Sequence, residues 1–427
     1  MSETIPARGI PGQSSTSILG NAVLRREDAT LIRGRGEFVA NQPFDDLLHA
    51  HFVRSTAAHG EILSIDVDDA RSMPGVVAVY TSADLGLEDR PPAMGFYASE
   101  AVRPFLARDR VRFVGEPVAV VLADDPHIAE SAAQIIEVDY QELPGVYDEI
   151  EALRGQVIVH EELKPAGTFA DLKHLAGRRD TNLALDYHLR HGDTDRAFAQ
   201  AEHVFDHIFS TQQTMHAAFE PIVALADMRD GRLTIYSSTQ SPSFVRFELA
   251  RLLGWPESHV RVKTAHLGGG FGAKVYVKAE ALAMALSLIA RRPVRVALTM
   301  EEQFYTITKH ANTVRIRSAV DKDGRITGRK CEVWWNGGAY ADIGPRIAQK
   351  SGFSAAGPYD IENVDIDSFA LYTNRPPAGA LRGFGIPQLV WAYESHTDII
   401  AHALGIDPVA FRKRNILRNG RPQAVGT

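Results

Sequence analysis

Two glycine-rich turns, each built around one phenylalanine, constrain this chain more than any other feature: Gly268-Gly269-Gly270-Phe271-Gly272 and Arg382-Gly383-Phe384-Gly385. Glycine lets a backbone turn tightly and approach a ligand closely. Each turn is followed by a stretch with helical character, and a helix start offers free N–H groups to anionic or oxygen-rich ligands. An aromatic ring inside such a turn adds a flat wall. The pair therefore predicts a pocket for a ligand that is both oxygen-rich and planar. The fold must bring together segments more than a hundred residues apart.

The rest of the chain sets the frame. At 427 residues, with 45% hydrophobic and 23% charged residues, it has the composition of a globular protein of two or three domains. A net charge of −7 argues against nucleic acid as a main partner. With Cys331 as the only cysteine, the chain can form no intrachain disulfide and can hold no iron–sulfur cluster alone. Cys331 itself reads as a small core residue in a strand from Arg329 to Trp335. The polar N-terminus is not a signal peptide, no apolar run reaches the ~20 residues of a membrane span, and a cytoplasmic location is expected.

Strands and helices mix without a strict βαβ rhythm, so the fold class is α+β. We expect a flexible N-terminus over 1–17, an α+β domain over 18–150, a connector over 151–180 and a second α+β domain over 181–427. In the first domain, strands are predicted over Leu47–Val53, Val76–Tyr80, Val118–Leu122 and Ile136–Tyr140. A helix from Pro126 to Ile135 follows, capped by Asp125. In the second, strands are predicted over His203–Ser210, Ile222–Met228, Leu233–Ser237, Val260–Lys263 and Val294–Leu298. Ser241-Pro242 starts a helix that Gly254 stops, and Asp407-Pro408 starts a last one through Ile416.

Several residues could carry chemistry. Gly268 to Ala273 fits the dinucleotide pattern G-x-G-x-x-A, but the acidic residue expected ~20 positions on is replaced by Arg291-Arg292-Pro293. A tight turn without a ligand, or a loop for another cofactor, remains open. Arg382 can grip phosphate or oxo groups bidentately, or it can be a solvated surface arginine. Gln240 ends a strand and can point its amide into a pocket. His216 and Glu220 could bind a metal, or serve as a structural histidine and an ion-paired glutamate. No H-E-x-x-H, C-x-x-C, G-x-S-x-G or Walker motif occurs, so hydrolase and zinc readings have little support.

Taken together, the pieces resemble the molybdenum hydroxylase family, which includes xanthine dehydrogenase, aldehyde oxidase, the molybdenum carbon monoxide dehydrogenase and N-heterocycle hydroxylases such as nicotinate dehydrogenase. Phe113 to Ala119 is similar to the core of that family's hammerhead domain. His216-Ala217-Ala218-Phe219-Glu220-Pro221, Ser238-Thr239-Gln240, Gly268 to Lys274 and Ala380 to Gln388 follow in family order and spacing. The resemblance implies a hammerhead domain followed by the first molybdopterin-binding domain, the second being absent from this chain.

It also implies site roles. Gln240, Gly270, Phe271, Gly272, Ala380, Leu381, Arg382 and Gly383 would hold a molybdenum–molybdopterin cofactor, expected in its cytosine dinucleotide form. Gln240, Phe271 and Arg382 would stand around the metal without ligating it. Phe384, Val275 and Ala341 would face the substrate. Val275 and Ala341 occupy positions where purine-oxidising members carry a glutamate and an arginine, and no cysteine lies between Ala380 and Gly385, as carbon monoxide enzymes require. Xanthine and carbon monoxide are therefore disfavoured as substrates. An N-heteroaromatic or an aldehyde is expected, hydroxylated with oxygen from water. The catalytic base, a glutamate in this family, is expected beyond Thr427, on a second molybdopterin-domain chain or in a missing C-terminal half. Electrons would pass to 2Fe–2S clusters and FAD on partner subunits. The alternative is a non-catalytic paralogue or assembly scaffold of the same fold.

Overall fold

The computed structural model describes residues 19–20, 22–85, 103–161 and 180–422. The N-terminal arm and most of the expected connector lie outside the described residues. Among the described residues, no helix is long and apolar enough to cross a membrane.

The expected strands form, but two units do not keep separate sheets. One seven-stranded sheet runs Val260–Lys263, Arg232–Ser237, Val223–Arg229, Val294–Ala297, Leu48–Arg54, Pro117–Ala123, Val76–Thr81. Its first four strands come from the C-terminal part of the chain and its last three from the N-terminal part. The seam is a parallel pairing of Leu48 with Val294, His49 with Arg295 and Ala50 with Val296. The strand Pro117–Ala123 is buried along its whole length. From Ala119 on, its alternate side chains feed two cores, Val120 and Leu122 on one face and Ala119, Val121 and Ala123 on the other.

Side chains reinforce the seam. Arg54 donates to Glu302 Oε1 through Nε and Nη2, at 3.0 and 2.9 Å. Within the Phe113 to Ala119 segment, Glu116 Oε1 accepts from the Tyr340 hydroxyl at 2.7 Å and Oε2 accepts from the Arg112 amide at 2.6 Å.

Local signals act as sequence chemistry dictates in most places. Asp125 accepts from the amides of His127 and Ile128 and starts the helix Pro126–Gln134. Gly254, with φ of 67°, stops the helix Pro242–Leu253. Ser241 departs from expectation, because its side chain caps nothing. Its own amide instead donates to Thr239 Oγ1 at 3.0 Å, so the preceding threonine closes the turn.

A second sheet holds five strands, in the order Leu183–His191, Asn363–Leu371, Ile326–Asn336, Ala311–Val320, His203–Thr211. Three of these strands, Leu183–His191, Ala311–Val320 and Asn363–Leu371, were not expected. Cys331 lies in the central strand with 1% exposure, and burial pushes its thiol up to about 12, so it is a protonated core group. Smaller sheets complete the fold, one pairing Thr308–Lys309 with Ala378–Gly379.

Candidate functional site

Sheet topology gathers the site. Strands Arg232–Ser237 and Val260–Lys263 pair in parallel, joined by the helix Pro242–Leu253, so Gln240 and the first glycine turn leave from the same edge. Strand Val223–Arg229 is antiparallel to Arg232–Ser237, which puts the preceding His216–Pro221 loop at that edge too. Strand Val294–Ala297 also ends there, since Ala297 pairs with Val223. The chain then runs through the helix Met300–Thr306 to Thr308–Lys309, which carries Ala378–Gly379 and the second turn into place. Outside the carboxyl ends of parallel strands is where sheets of this kind bind ligands.

The two turns meet. The Arg382 amide donates to the Phe271 carbonyl at 2.8 Å. A Cβ added at Gly272 would strike the Ala380 carbonyl, and one at Gly270 would strike the Gln240 side chain. The Gly272 contact, with backbone, requires glycine; at Gly270 the Gln240 side chain would have to swing away. Phe271 and Phe384 both take left-handed backbone, at φ of 52° and 57°. Such strain in a non-glycine residue collects where surrounding structure dictates it.

Gln240 is exposed, and its Oε1 accepts from the Gly272 amide at 3.0 Å. That bond uses the acceptor end and leaves Nε2 as a donor. Arg382 is exposed, and no carboxylate among the described residues pairs with it. Leu381 is half-buried and Ala380 buried, with the Ala380 carbonyl accepting from His216 Nε2 at 2.6 Å. Phe384 is half-buried, and the Lys350 ammonium stands 5.3 Å from its ring centroid.

The expected helix start is absent from the first turn. The helix Ala279–Ala290 begins only after an irregular run from Ala273 to Lys278. The reason lies in two buried ion pairs. Lys274 Nζ meets Glu220 Oε2 at 2.8 Å, and Lys278 Nζ meets Asp342 Oδ2 at 2.9 Å. Glu220 Oε2 also accepts from the Gly268 amide at 2.8 Å. Glu220 is thus the ion-paired anchor of the turn, and His216 braces the other turn through Ala380. Among the described residues, no three His, Cys, Asp or Glu side chains are grouped to hold a metal ion. Burial pulls the Lys274 ammonium below its ordinary value, with Glu220 opposing.

Val275 is half-buried and packs against the main core, and Ala341 is buried. The Lys278–Asp342 pair ties their two segments together. Lys274, Lys278 and Asp342 escaped the sequence reading, because a lysine beside a glycine turn reads as solvated until its distant carboxylate is known. Lys278 and Asp342 side chains are each only 2% exposed. Lys278→Met therefore strands a buried aspartate and is expected to cost about 3–5 kcal/mol, read as a drop in urea midpoint with unchanged slope.

The buried polar atoms without protein partners include His216 Nδ1 and Glu220 Oε1, on the loop that braces both turns, and His310 Nε2. They are unusual for a folded interior and mark a site that expects more polar chemistry. The free donors at the turns are the Gln240 amide and the Arg382 guanidinium, and an oxygen-rich ligand fits them.

Comparison with known proteins agrees with this geometry. Residues 176–416 match the molybdopterin cofactor-binding domain, and residues 33–144 match the aldehyde oxidase and xanthine dehydrogenase a/b hammerhead domain. The chain is 33% identical to the nicotinate dehydrogenase large molybdopterin subunit of Eubacterium barkeri, over 96% of this chain and 92% of that one. It is 37% identical to a putative xanthine dehydrogenase molybdenum-binding subunit of Escherichia coli, over 93% of this chain and 52% of that one. In structure it resembles quinoline 2-oxidoreductase from Pseudomonas putida 86, with a TM-score of 0.84, 31% identity, and coverage of 95% of this chain and 51% of the other. The chain thus spans about half the length of several relatives and nearly all of one. It belongs to the aldehyde oxidase and xanthine dehydrogenase family of molybdenum enzymes and carries that family's hammerhead and molybdopterin cofactor-binding domains.

Proposed function

We propose that the two glycine turns are the lips of one molybdopterin site, and that the chain serves an oxidoreductase that hydroxylates an N-heteroaromatic ring or an aldehyde. The observation that carries this reading is the joined pair of turns, with the Phe271 carbonyl bonded to the Arg382 amide and Gln240 bonded to Gly272. A cradle in which a single methyl group collides at Gly270 and Gly272 is built for close approach.

In this reading Gly270, Phe271, Gly272, Ala380, Leu381, Arg382 and Gly383 hold the cofactor with Gln240. The bound group supplies the redox and oxygen-transfer chemistry. The chain's part is to bind and to orient. Gln240, its Oε1 occupied, offers Nε2 as a fixed donor. Arg382 offers its guanidinium to oxygen atoms from the opposite lip. Phe384 is the flat wall for a planar substrate, and Val275 and Ala341 make the remaining wall apolar. That wall disfavours a purine, whose polar edge would go unmatched. The relatives named for nicotinate and for quinoline act on N-heteroaromatic rings by their names, which favours a ring over an aldehyde. The base, the 2Fe–2S clusters and the FAD come from outside these residues, and the cytosine form of the pterin is the expected one.

Gln240→Ala and Arg382→Ala test the assignment. Both side chains are exposed and support no core, so each variant should melt within roughly 0.5 kcal/mol of wild type. Each is expected to lose molybdenum or activity. Full metal occupancy and full activity in both would remove these residues from the site.

A further inference from the structure

The segment 213–223 runs between the two turns and is fastened at both ends. At its start, Gln213 Nε2 donates to Thr308 Oγ1 at 2.6 Å and to the Pro376 carbonyl at 2.9 Å. The Lys309 amide donates to the Thr214 carbonyl at 2.7 Å. Thr308 and Lys309 form the strand that pairs with Ala378–Gly379, just before the second turn. At the other end, the Val223 amide donates to Ser238 Oγ at 2.9 Å, on the approach to Gln240.

Between these fastenings the segment sends one buried side chain towards each turn. His216 Nε2 donates to the Ala380 carbonyl at 2.6 Å, on the side of the second turn. Glu220 Oε2 accepts from the Gly268 amide and from Lys274 Nζ, both at 2.8 Å, on the side of the first. The Glu220 amide closes the same grip by donating to the Gly268 carbonyl at 3.1 Å. Lys274 passes the hold on, because its carbonyl accepts from the Gln240 amide at 2.8 Å. Phe219, the one large apolar side chain between the braces, is 96% exposed. Polar contacts rather than apolar packing therefore place the loop, and buried polar contacts demand exact geometry. Ala217, also between the braces, has a φ of 53°, a strain that persists only where the surroundings dictate it.

We propose that the segment 213–223 is one bracket that sets the separation of the two turns, with His216 and Glu220 as positioning residues for the group held between them. Two separate braces would each steady one turn. A single bracket couples them, so that releasing either end frees both. The coupling rests on the contacts above, and only its consequence for a cofactor rests on the molybdopterin reading.

The test is hydrogen exchange of the native protein, resolved to single amides by fragmentation mass spectrometry. The reporter is the Arg382 amide, whose bond to the Phe271 carbonyl spans the two turns. Amides of the strand Ile326–Asn336 report global unfolding, and the turn amides are read relative to them. His216→Ala and Glu220→Gln should each speed exchange of the reporter about tenfold, and the double variant should do no more than either alone. His216→Gln, whose amide can still donate to the Ala380 carbonyl, should restore slow exchange. A double variant that multiplies the two effects, to about a hundredfold, would mean two independent braces and overturn the proposal. So would an unchanged reporter in either single variant. Should Glu220→Gln not fold, His216→Ala decides alone: the Gly268 amide, bonded to Glu220 and not to His216, must also exchange faster, and an unchanged rate overturns the bracket. Molybdenum is quantified in the same samples. Coupled exchange with molybdenum fully retained would keep the bracket and count instead against the turns as the cofactor's holder.

Discussion

Gly272→Ala is expected to yield protein that lacks molybdenum and melts well below wild type. The residue has a φ of 114°, outside the range that side-chain-bearing residues adopt, and its added Cβ would also lie 2.7 Å from the Ala380 carbonyl carbon. Neither obstacle can move cheaply. The carbonyl is backbone, and its oxygen is bonded to His216. The neighbouring Arg382 amide is bonded to Phe271. Strain of this kind costs about 1–3 kcal/mol, and separating the lips adds the loss of those bonds. The matched control is Gly231→Ala. Gly231 has a φ of 69° but nothing within 4 Å of its added Cβ, so it carries the backbone penalty without the collision. Metal analysis by mass spectrometry should find molybdenum retained in Gly231→Ala and absent from Gly272→Ala. Equal occupancy in the two would mean that the turns need not touch to hold the cofactor.

Acid is the second large lever. Three buried histidines are held neutral: burial lowers His160 to about 3, His310 to about 4 and His396 to about 2. Arg112 adds to the effect at His160, and Arg329 and His207 add to it at His396, whereas Asp342 opposes it at His310. The sign follows directly. Below the ordinary value of 6.5 the unfolded chain takes up protons that the folded chain refuses, so stability is full above that pH and falls as the pH drops. At pH 5 each histidine forfeits about 2 kcal/mol, about 6 kcal/mol for the three, comparable with the whole stability of many domains. Urea unfolding at pH 5 and pH 7.5 reads this loss, and His310→Gln should remove about a third of it. A midpoint that does not move between these pH values would mean that the three imidazoles can charge in the folded state.

Local chemistry in this chain was legible, and distant pairing was not. Asp125-Pro126, Gly254 and Asp407-Pro408 mark helix ends because caps act within a few residues. The shared sheet was hidden, since nothing local in Leu48–Arg54 names Val294–Ala297 as its neighbour. Strand Asn363–Leu371 does alternate, with Val364, Ile366, Ser368 and Ala370 all buried. Two of those four are not strong hydrophobes, which blurred the period. The glycine turns, Gln240 and Arg382 stood out as candidate site residues because unusual residue types stood in unusual places. What held them was not. The delay between the first turn and its helix comes from Lys274 and Lys278 reaching carboxylates at Glu220 and Asp342, far away in sequence. Glu220 could be read as metal ligand or ion-pair partner, and only the fold supplies Lys274 as its answer.

The most direct test is metal and pterin analysis of the native protein, purified together with whatever chains accompany it. Close to one molybdenum and one pterin per copy of this chain is the predicted result. A complete complex that contains its iron and flavin but neither molybdenum nor pterin would contradict the central claim, and would leave the joined glycine turns as the fold of a scaffold.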